Sequence, residues 1–94
     1  MNNLLNEIRI FSGTSQHTLF PSGVFSSKEE AEKNIRKYKL SGVLTKYPVD
    51  ILVYDWALEE GFLEIRRKDE QITPKFIQSF SSAHLEHHHY NNGE

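Results

Sequence analysis

Cysteine is absent from the chain, and its absence excludes several kinds of protein. Without thiols there is no disulfide scaffold, no cysteine nucleophile and no thiolate metal site. No apolar run reaches the roughly 20 residues that a membrane-spanning helix needs. Met1–Asn6 lacks the basic start and the long apolar core of a signal peptide. We therefore expect a cytoplasmic protein that has no membrane partner.

The chain also has no excess of positive charge. Eleven Lys and Arg residues stand against thirteen Asp and Glu residues, which gives a formal net charge of −2. Proteins that bind nucleic acid through its phosphates normally carry a basic surface. The charge balance therefore predicts that nucleic acid is not a partner of this protein.

The sequence motifs of common enzymes are also absent. The glycines are isolated, so there is neither a Walker-type phosphate loop nor a dinucleotide-binding fingerprint. None of the serines lies in a Gly-x-Ser-x-Gly nucleophile elbow. Asp50 and Asp55 are candidate paired carboxylates, but each has a structural explanation, as a strand start and a helix cap. These absences favour a protein without enzymatic activity.

The most apolar stretch is Val49–Trp56, which we interpret as the central strand because its β-branched and aromatic residues alternate. Asp55 is a suitable N-cap for a short helix at about 56–60, and Gly61 is suited to end it in a left-handed conformation. At 94 residues the chain is long enough for one domain. We predict a single domain over 1–94.

Two longer helices are indicated by their start signals. Ser27 is followed three residues later by Glu30, which is the spacing of a capping box, and this predicts a helix over about 27–39. Ala31, Ile35 and Tyr38 form its apolar stripe. Thr73 and Pro74 are a typical N-cap and first helical residue, and they predict a helix over about 74–83.

Shorter segments predict the remaining strands. Glu7–Phe11 alternates apolar and polar residues, Phe62–Arg66 is another strand candidate, His17–Phe20 is a candidate return strand, and Glu86–Tyr90 is a further candidate. Strands and helices do not alternate regularly enough for a parallel α/β fold. We therefore predict an α+β domain whose small, mostly antiparallel sheet is packed by the two main helices. We predict that residues 1–5 and 91–94 are flexible ends.

Three segments resemble a family of small bacterial domains of unknown function. They are Phe20–Phe25 (FPSGVF), Ser41–Thr45 (SGVLT) and Val53–Trp56 (VYDW). The resemblance covers most of the chain from Phe20 onward and includes the histidine-rich end. It implies a bacterial, stand-alone cytoplasmic protein, and it transfers no catalytic residues to this chain.

The histidines are the one concentrated chemical signal, since four of the five lie between His84 and His89. Neutral imidazole is a common metal ligand, and zinc binds three or four nitrogen or oxygen donors. His84, His87 and His89 are therefore candidate metal ligands, and on a strand the last two share one face, about 7 Å apart. The spacing matches no strong zinc motif. The alternative is an exposed edge strand whose histidines have no ligand, and zinc is the only cofactor that the sequence suggests.

Four aromatic residues are candidates for partner contacts at the surface, namely Tyr47, Tyr54, Trp56 and Tyr90. Tyrosine and tryptophan are the usual anchors of protein interfaces. The alternative is that they belong to the core and its border.

Two functional hypotheses follow. The first is a non-enzymatic protein-interaction module, such as a toxin-neutralising protein, whose partner is another protein or a second copy of the chain. The second is a histidine-dependent metal-binding protein or small hydrolase that uses the C-terminal histidines.

Overall fold

Two compact units are formed by separate parts of the chain. The computed structural model describes residues 6–15, 19–64 and 72–94. Residues 1–49 and 85–94 belong to one unit, here called the sheet unit, and residues 50–84 to the other, the helical unit. The described residues form four strands and three helices, which confirms the predicted α+β class. None of these helices is long and apolar enough to cross a membrane.

The sheet unit is a four-stranded antiparallel sheet with one helix. Its elements in chain order are β1 (Glu7–Gly13), β2 (Gly23–Phe25), α1 (Lys28–Tyr38), β3 (Gly42–Pro48) and β4 (His87–Tyr90). The strands lie in the order β2-β1-β3-β4, and each neighbouring pair is antiparallel. β1 and β3 are therefore central, and β2 and β4 are the edges of the sheet.

Helix α1 covers one face of this sheet. Phe11 of β1 is paired with Leu44 of β3, and both side chains are buried together with Ala31 and Ile35 of α1. Side chains along a strand alternate between the two faces of a sheet. Phe25 of β2 lies on the same face and packs against this cluster. The core of the unit thus lies between α1 and the two central strands.

Both ends of α1 are closed by local hydrogen bonds. The Ser27 hydroxyl accepts a hydrogen bond from the Glu30 N–H at 3.2 Å, which confirms the predicted N-cap. At the other end, Lys39 takes a left-handed conformation with φ of 54°. The Leu40 N–H then donates to the Ile35 carbonyl at 2.9 Å, the pattern of a Schellman motif. A lysine therefore occupies a position that usually belongs to glycine.

Gly42 lies opposite Gly13 at the end of the β1–β3 ladder. A Cβ atom at Gly42 would lie 2.6 Å from Cζ of Phe11 and 2.9 Å from Cα of Gly13. It would also overlap the carbonyl oxygen of Ser12. Because two of these neighbours are backbone, only glycine fits at this point of β3.

The C-terminal residues 91–94, which we predicted to be flexible, contact the segment that follows α1. The Asn92 N–H donates to the Ser41 hydroxyl oxygen at 2.9 Å. The Gly93 N–H donates to the Leu40 carbonyl at 2.9 Å, and Gly93 is buried. The last residues of the chain are thus tied to the connection between α1 and β3.

The helical unit contains α2 (Val53–Glu59) and α3 (Pro74–Ser79). Tyr54 of α2 is buried, with 6% of its surface exposed. Its ring makes edge contacts with the rings of Phe76 and Phe80, at centroid distances of 6.1 and 6.0 Å. Helices this short are not stable alone in water, so aromatic packing holds them.

The predicted central strand at Val49–Trp56 is wrong. α2 begins at Val53, and the residues just before it form bends. Asp50 has φ of 65°, a conformation through which a strand does not continue. Tyr54 and Ala57 are both buried, and their spacing of three positions is helical. The centre of the sheet is formed instead by β1 and β3.

Of the two caps predicted for α2, the C-terminal one is found and the N-terminal one is not. Asp55 is not the N-cap. Leu52 occupies that position without a side-chain hydrogen bond, and Asp55 lies in the first turn, where its charge complements the helix dipole. Gly61 is left-handed as predicted, with φ of 81°. The Phe62 N–H donates to the Ala57 carbonyl at 2.8 Å, which closes a Schellman motif.

Helix α3 begins as predicted and ends early. The Thr73 hydroxyl accepts a hydrogen bond from the Phe76 N–H at 3.2 Å, and Pro74 is the first helical residue. The helix stops at Ser79 rather than at about 83, because Phe80 has an extended backbone with φ of −73° and ψ of 135°.

Two predicted strands are not found in the described parts of their segments. Residues 62–64 of the predicted strand Phe62–Arg66 are not in a strand, and neither are residues 19 and 20 of His17–Phe20. The strand that returns along β1 is β2 instead. The rest of both segments, and the predicted flexible end at residues 1–5, lie outside the described residues.

Candidate binding surface

Strand β2 is an edge strand with a free side. It pairs with β1 along one side only, and within the described ranges no strand lies along its other side. The backbone N–H and C=O groups of such an edge are available to pair with another extended chain. β2 is also short, since it contains only the three residues Gly23–Phe25.

A cavity of about 200 Å³ opens between β2 and α1. Its walls are mainly apolar, and they are formed by Phe11, Phe25, Ile35, Tyr38 and Leu40. Phe11 and Ile35 belong to the core of the sheet unit. The cavity is therefore a gap at the border of the core that reaches the edge of the sheet.

Exposed apolar side chains are concentrated around this edge. Leu19, Phe20, Val24 and Tyr38 are exposed by 82%, 77%, 63% and 62%. They are the only large apolar residues of the sheet unit that are this exposed among the described residues. Single exposed apolar residues are common, but a group of them marks an interaction surface. We call these four residues, with the cavity and the free side of β2, the β2 surface.

A lysine borders this surface. Nζ of Lys37 lies 5.1 Å from the centroid of the Tyr38 ring, within the range of a cation–π contact. The neighbouring cations of α1 are paired, since Lys33 contacts Glu30 at 3.3 Å and Arg36 contacts Glu32 at 3.7 Å. Within the described part of the chain, no carboxylate lies at ion-pair distance from Lys37.

A second group of charged residues lies where β1, β3 and β4 meet. Lys46 contacts Glu7 at 3.1 Å and Glu86 at 3.5 Å, Arg9 contacts Glu86 at 3.7 Å, and Nε2 of His88 lies 3.0 Å from Glu86. The hydrogen bond with His88, with Lys46 and Arg9 nearby, lowers the pKa of Glu86 to about 2. The hydrogen bond to Glu7 raises the pKa of Lys46. Because opposite charges satisfy one another here, this group stabilises the sheet rather than forming a reactive site.

Tyr90 connects β4 to α1. Its hydroxyl donates a hydrogen bond to the Glu32 carboxylate at 2.7 Å. Burial, together with this bond, raises the pKa of Tyr90 to about 12. The same bond lowers the pKa of Glu32. Tyr90 therefore links β4 to α1 within the sheet unit, and its hydroxyl already has a hydrogen-bond partner.

The four aromatic residues predicted to contact partners divide between the two units. Tyr54 is in the core of the helical unit, and Trp56 is half-buried against Phe62 at a centroid distance of 5.4 Å. Tyr47 and Tyr90 belong to the sheet unit, where the register places them on opposite faces of the sheet. Both are half-buried.

The histidines predicted as metal ligands divide between the two units. His87 and His89 lie on one face of β4 with ring centroids 5.4 Å apart, as the strand prediction requires. His84 belongs to the helical unit, where it stacks on Phe62 at 4.0 Å. Over the residues that the structure describes, no three His, Asp or Glu side chains are grouped to hold a metal ion.

Sequence reasoning missed the β2 surface. Tyr38 was assigned to the buried stripe of α1, yet it is 62% exposed. The available signal was the segment from Leu19 to Val24, where apolar residues stand among Pro21, Ser22 and Gly23 rather than in a long strand. A proline and a very short strand are both typical of the edge of a sheet.

Comparison with known families identifies the family of this chain, but that family has no assigned function. A family model described as a domain of unknown function (DUF7710) matches residues 8–94, and the chain therefore belongs to that family. This agrees with the resemblance of the sequence motifs to a family of small domains of unknown function. No curated protein and no solved structure matches the chain.

Proposed function

We propose that this protein is a non-enzymatic protein-interaction module and that the β2 surface is its binding site. The observation that carries the proposal is that exposed apolar side chains surround an edge strand whose other side pairs with no strand of residues 6–15, 19–64 and 72–94. In this proposal the protein acts in the bacterial cytoplasm. Both the absence of cysteine and the resemblance of the sequence motifs support that setting.

The energetics of the β2 surface favour a bound partner. Burying one large apolar side chain completely is worth about 1.5–3 kcal/mol. Four such residues are exposed on this surface, each by more than half. Their burial would offset a large part of the association cost, which is about 4–15 kcal/mol. Burial of these exposed side chains is thus a substantial favourable contribution to binding at the β2 surface.

The experiment uses a charged variant and a matched control. Val24→Lys places a charge on the β2 surface, at a residue that is 63% exposed, so the fold should tolerate it. Ile72→Lys is the control, because Ile72 is 55% exposed and belongs to the helical unit. A protein captured by the wild-type chain is identified, purified and titrated against all three forms.

We expect stoichiometric binding to the wild-type chain and to Ile72→Lys, and at least tenfold weaker binding to Val24→Lys. Equal binding of that partner to all three forms would contradict the assignment of the β2 surface. Size-exclusion chromatography with light scattering over a range of concentrations tests whether the partner is a second copy. If neither a partner nor self-association is found, the interaction proposal fails.

A second candidate function, metal binding by the C-terminal histidines, is favoured by one contact. Nδ1 of His87 lies 2.8 Å from the Leu85 carbonyl oxygen. A carbonyl only accepts hydrogen bonds, so Nδ1 is the donor, and in the neutral tautomer that makes this bond Nε2 has the lone pair that a metal needs. Metal-binding histidines commonly have this outer hydrogen bond. A metal at His87 and His89 would need further ligands, and a metal-bound water would be the nucleophile of a hydrolase.

Titration with zinc near neutral pH, followed by NMR of the histidine rings and by the melting temperature, tests this candidate. Saturable binding that raises the melting temperature and disappears in the His87→Ala, His89→Ala double variant would support it. Unchanged ring signals at millimolar zinc, or equal binding by the double variant, would exclude it.

A further inference from the structure

We infer that the β2 surface binds an extended segment of a partner protein, which adds to β2 as a fifth strand and carries an apolar anchor beside an acidic residue. The inference rests on the proposed function and specifies the chemistry of the partner. Three features of the surface support it: exposure on both faces of the edge strand, the size of the cavity, and the charge beside it.

The first feature is that apolar surface is available on both faces of the sheet at β2. Val24 and Phe25 are consecutive, so their side chains point to opposite faces. Val24 is 63% exposed, and Phe25 lines the cavity on the face of α1. An added strand also presents alternate side chains to both faces. One side chain of the partner would contact Val24, and the next would enter the cavity, whereas a bound helix would cover one face only.

The second feature is the size of the cavity. Its volume is about 200 Å³ and its walls are mainly apolar. A dry engineered cavity of about 150 Å³ in another protein is large enough to bind benzene. The cavity beside β2 therefore has room for one aromatic or large aliphatic side chain. Such a side chain would contact the rings of Phe25 and Tyr38.

The third feature is the charge of Lys37. Its ammonium group lies beside the ring of Tyr38, which lines the cavity, and no described carboxylate pairs with it. An acidic residue near the apolar anchor of a bound segment would complement this charge. A second copy of the chain fits less well. Residues 19–27, which include β2, contain no charged residue, so a second β2 strand would bring apolar side chains without a carboxylate.

The experiment is selection from a displayed library of random linear peptides on the wild-type protein, with counter-selection on the Val24→Lys variant. We expect the enriched peptides to alternate apolar and other residues and to contain at least one acidic residue. One enriched peptide is then synthesised with a fluorescent label and titrated by polarisation against wild type, Lys37→Glu and the control Ile72→Lys.

The inference predicts a distinct pattern of affinities for that peptide. Replacing its apolar anchor with alanine should weaken binding about tenfold or more. Lys37→Glu should weaken binding about threefold to tenfold, and a peptide whose acidic residue is changed to lysine should recover affinity for that variant. N-methylation of the peptide amides should weaken binding at every second position, because alternate N–H groups of an added strand pair with β2.

Several results would overturn the inference. They are the absence of any enriched peptide, enrichment of peptides without acidic residues, equal affinity of Lys37→Glu and wild type, and N-methylation effects without a two-residue period. None of these results would refute the proposed function. If the purified partner still binds wild type and not Val24→Lys, the β2 surface remains the binding site and only the chemistry of the occupant is wrong.

Discussion

Replacing Gly42 with alanine tests whether the close approach of β1 and β3 limits the stability of the sheet unit. The new methyl group would lie 2.6 Å from Cζ of Phe11 and 2.9 Å from Cα of Gly13. Phe11 is 3% exposed and belongs to the core, and the other two close neighbours are backbone atoms, which cannot rotate away. Extra atoms in a packed core cost about 1–3 kcal/mol. Since backbone must also shift here, we expect a loss of about 3 kcal/mol or more.

The matched control is Gly61→Ala, which separates steric overlap from backbone conformation. Gly61 has φ of 81°, and a Cβ atom there would meet nothing within 4 Å. Alanine at this position should therefore lower the free energy of unfolding by only about 1 kcal/mol, because its side chain disfavours the left-handed conformation. The measurement is urea denaturation followed by far-ultraviolet circular dichroism. Fluorescence alone is insufficient, because the one tryptophan of the chain, Trp56, reports on the helical unit. A loss of stability below about 1 kcal/mol for Gly42→Ala would refute the reasoning. So would a loss for Gly61→Ala that exceeds the loss for Gly42→Ala.

Three further predictions concern single side chains of the sheet unit. Tyr90→Phe removes a hydrogen bond to Glu32, so urea denaturation should show a loss of about 1 kcal/mol and NMR titration should show a higher pKa of Glu32. The pKa of Glu86 falls from its usual value of 4.5 to about 2 in the folded chain. Its stabilising effect is therefore present above pH 4.5 and is lost as the pH falls towards 2, so the melting temperatures of wild type and Glu86→Gln should converge over that range. Lys39→Gly removes the strain of a left-handed lysine with φ of 54°. After the greater chain entropy of glycine is subtracted, the free energy of unfolding should rise by about 0.5 kcal/mol. Unchanged or lower stability would contradict this.

Local signals in the sequence predicted three of the helix ends correctly. The caps at Ser27 and Thr73 and the left-handed Gly61 are all found, because each depends on hydrogen bonds within a few residues of the chain. The strand nature of residues 87–90 was also predicted correctly. The overall α+β class followed from these elements.

The prediction of a central strand failed because the outcome depends on contacts between distant residues. The apolar residues of Val49–Trp56 suit a buried strand and a short buried helix equally well, and periodicity does not separate the two over so few residues. The left-handed Asp50 and the contacts of Tyr54 with Phe76 and Phe80 decide the outcome. None of these is visible in the local pattern.

The binding surface was missed for a related reason. Tyr38 occupies a position on α1 that sequence alone assigns to the buried stripe, but the sheet ends at β2 and leaves this ring exposed. Whether a helical residue is buried depends on the width of the sheet beneath it. That width is set by strand pairing between distant segments, so the exposure of Tyr38 could not be read from the sequence.

The sheet unit is discontinuous in sequence, and its strands hold together the two ends of the segment that interrupts it. Residues 50–84 form an insertion between β3 and β4, and those strands are already joined where the insertion begins and ends. The Lys46 N–H donates to the Glu86 carbonyl at 2.9 Å, so the two attachment points are fixed side by side by the sheet itself. Lengthening a connection whose ends are already close costs little, about 0.6 kcal/mol for each doubling of its length. A change in the length of segment 50–84 should therefore cost the sheet unit little stability, because the sheet itself keeps the two attachment points side by side.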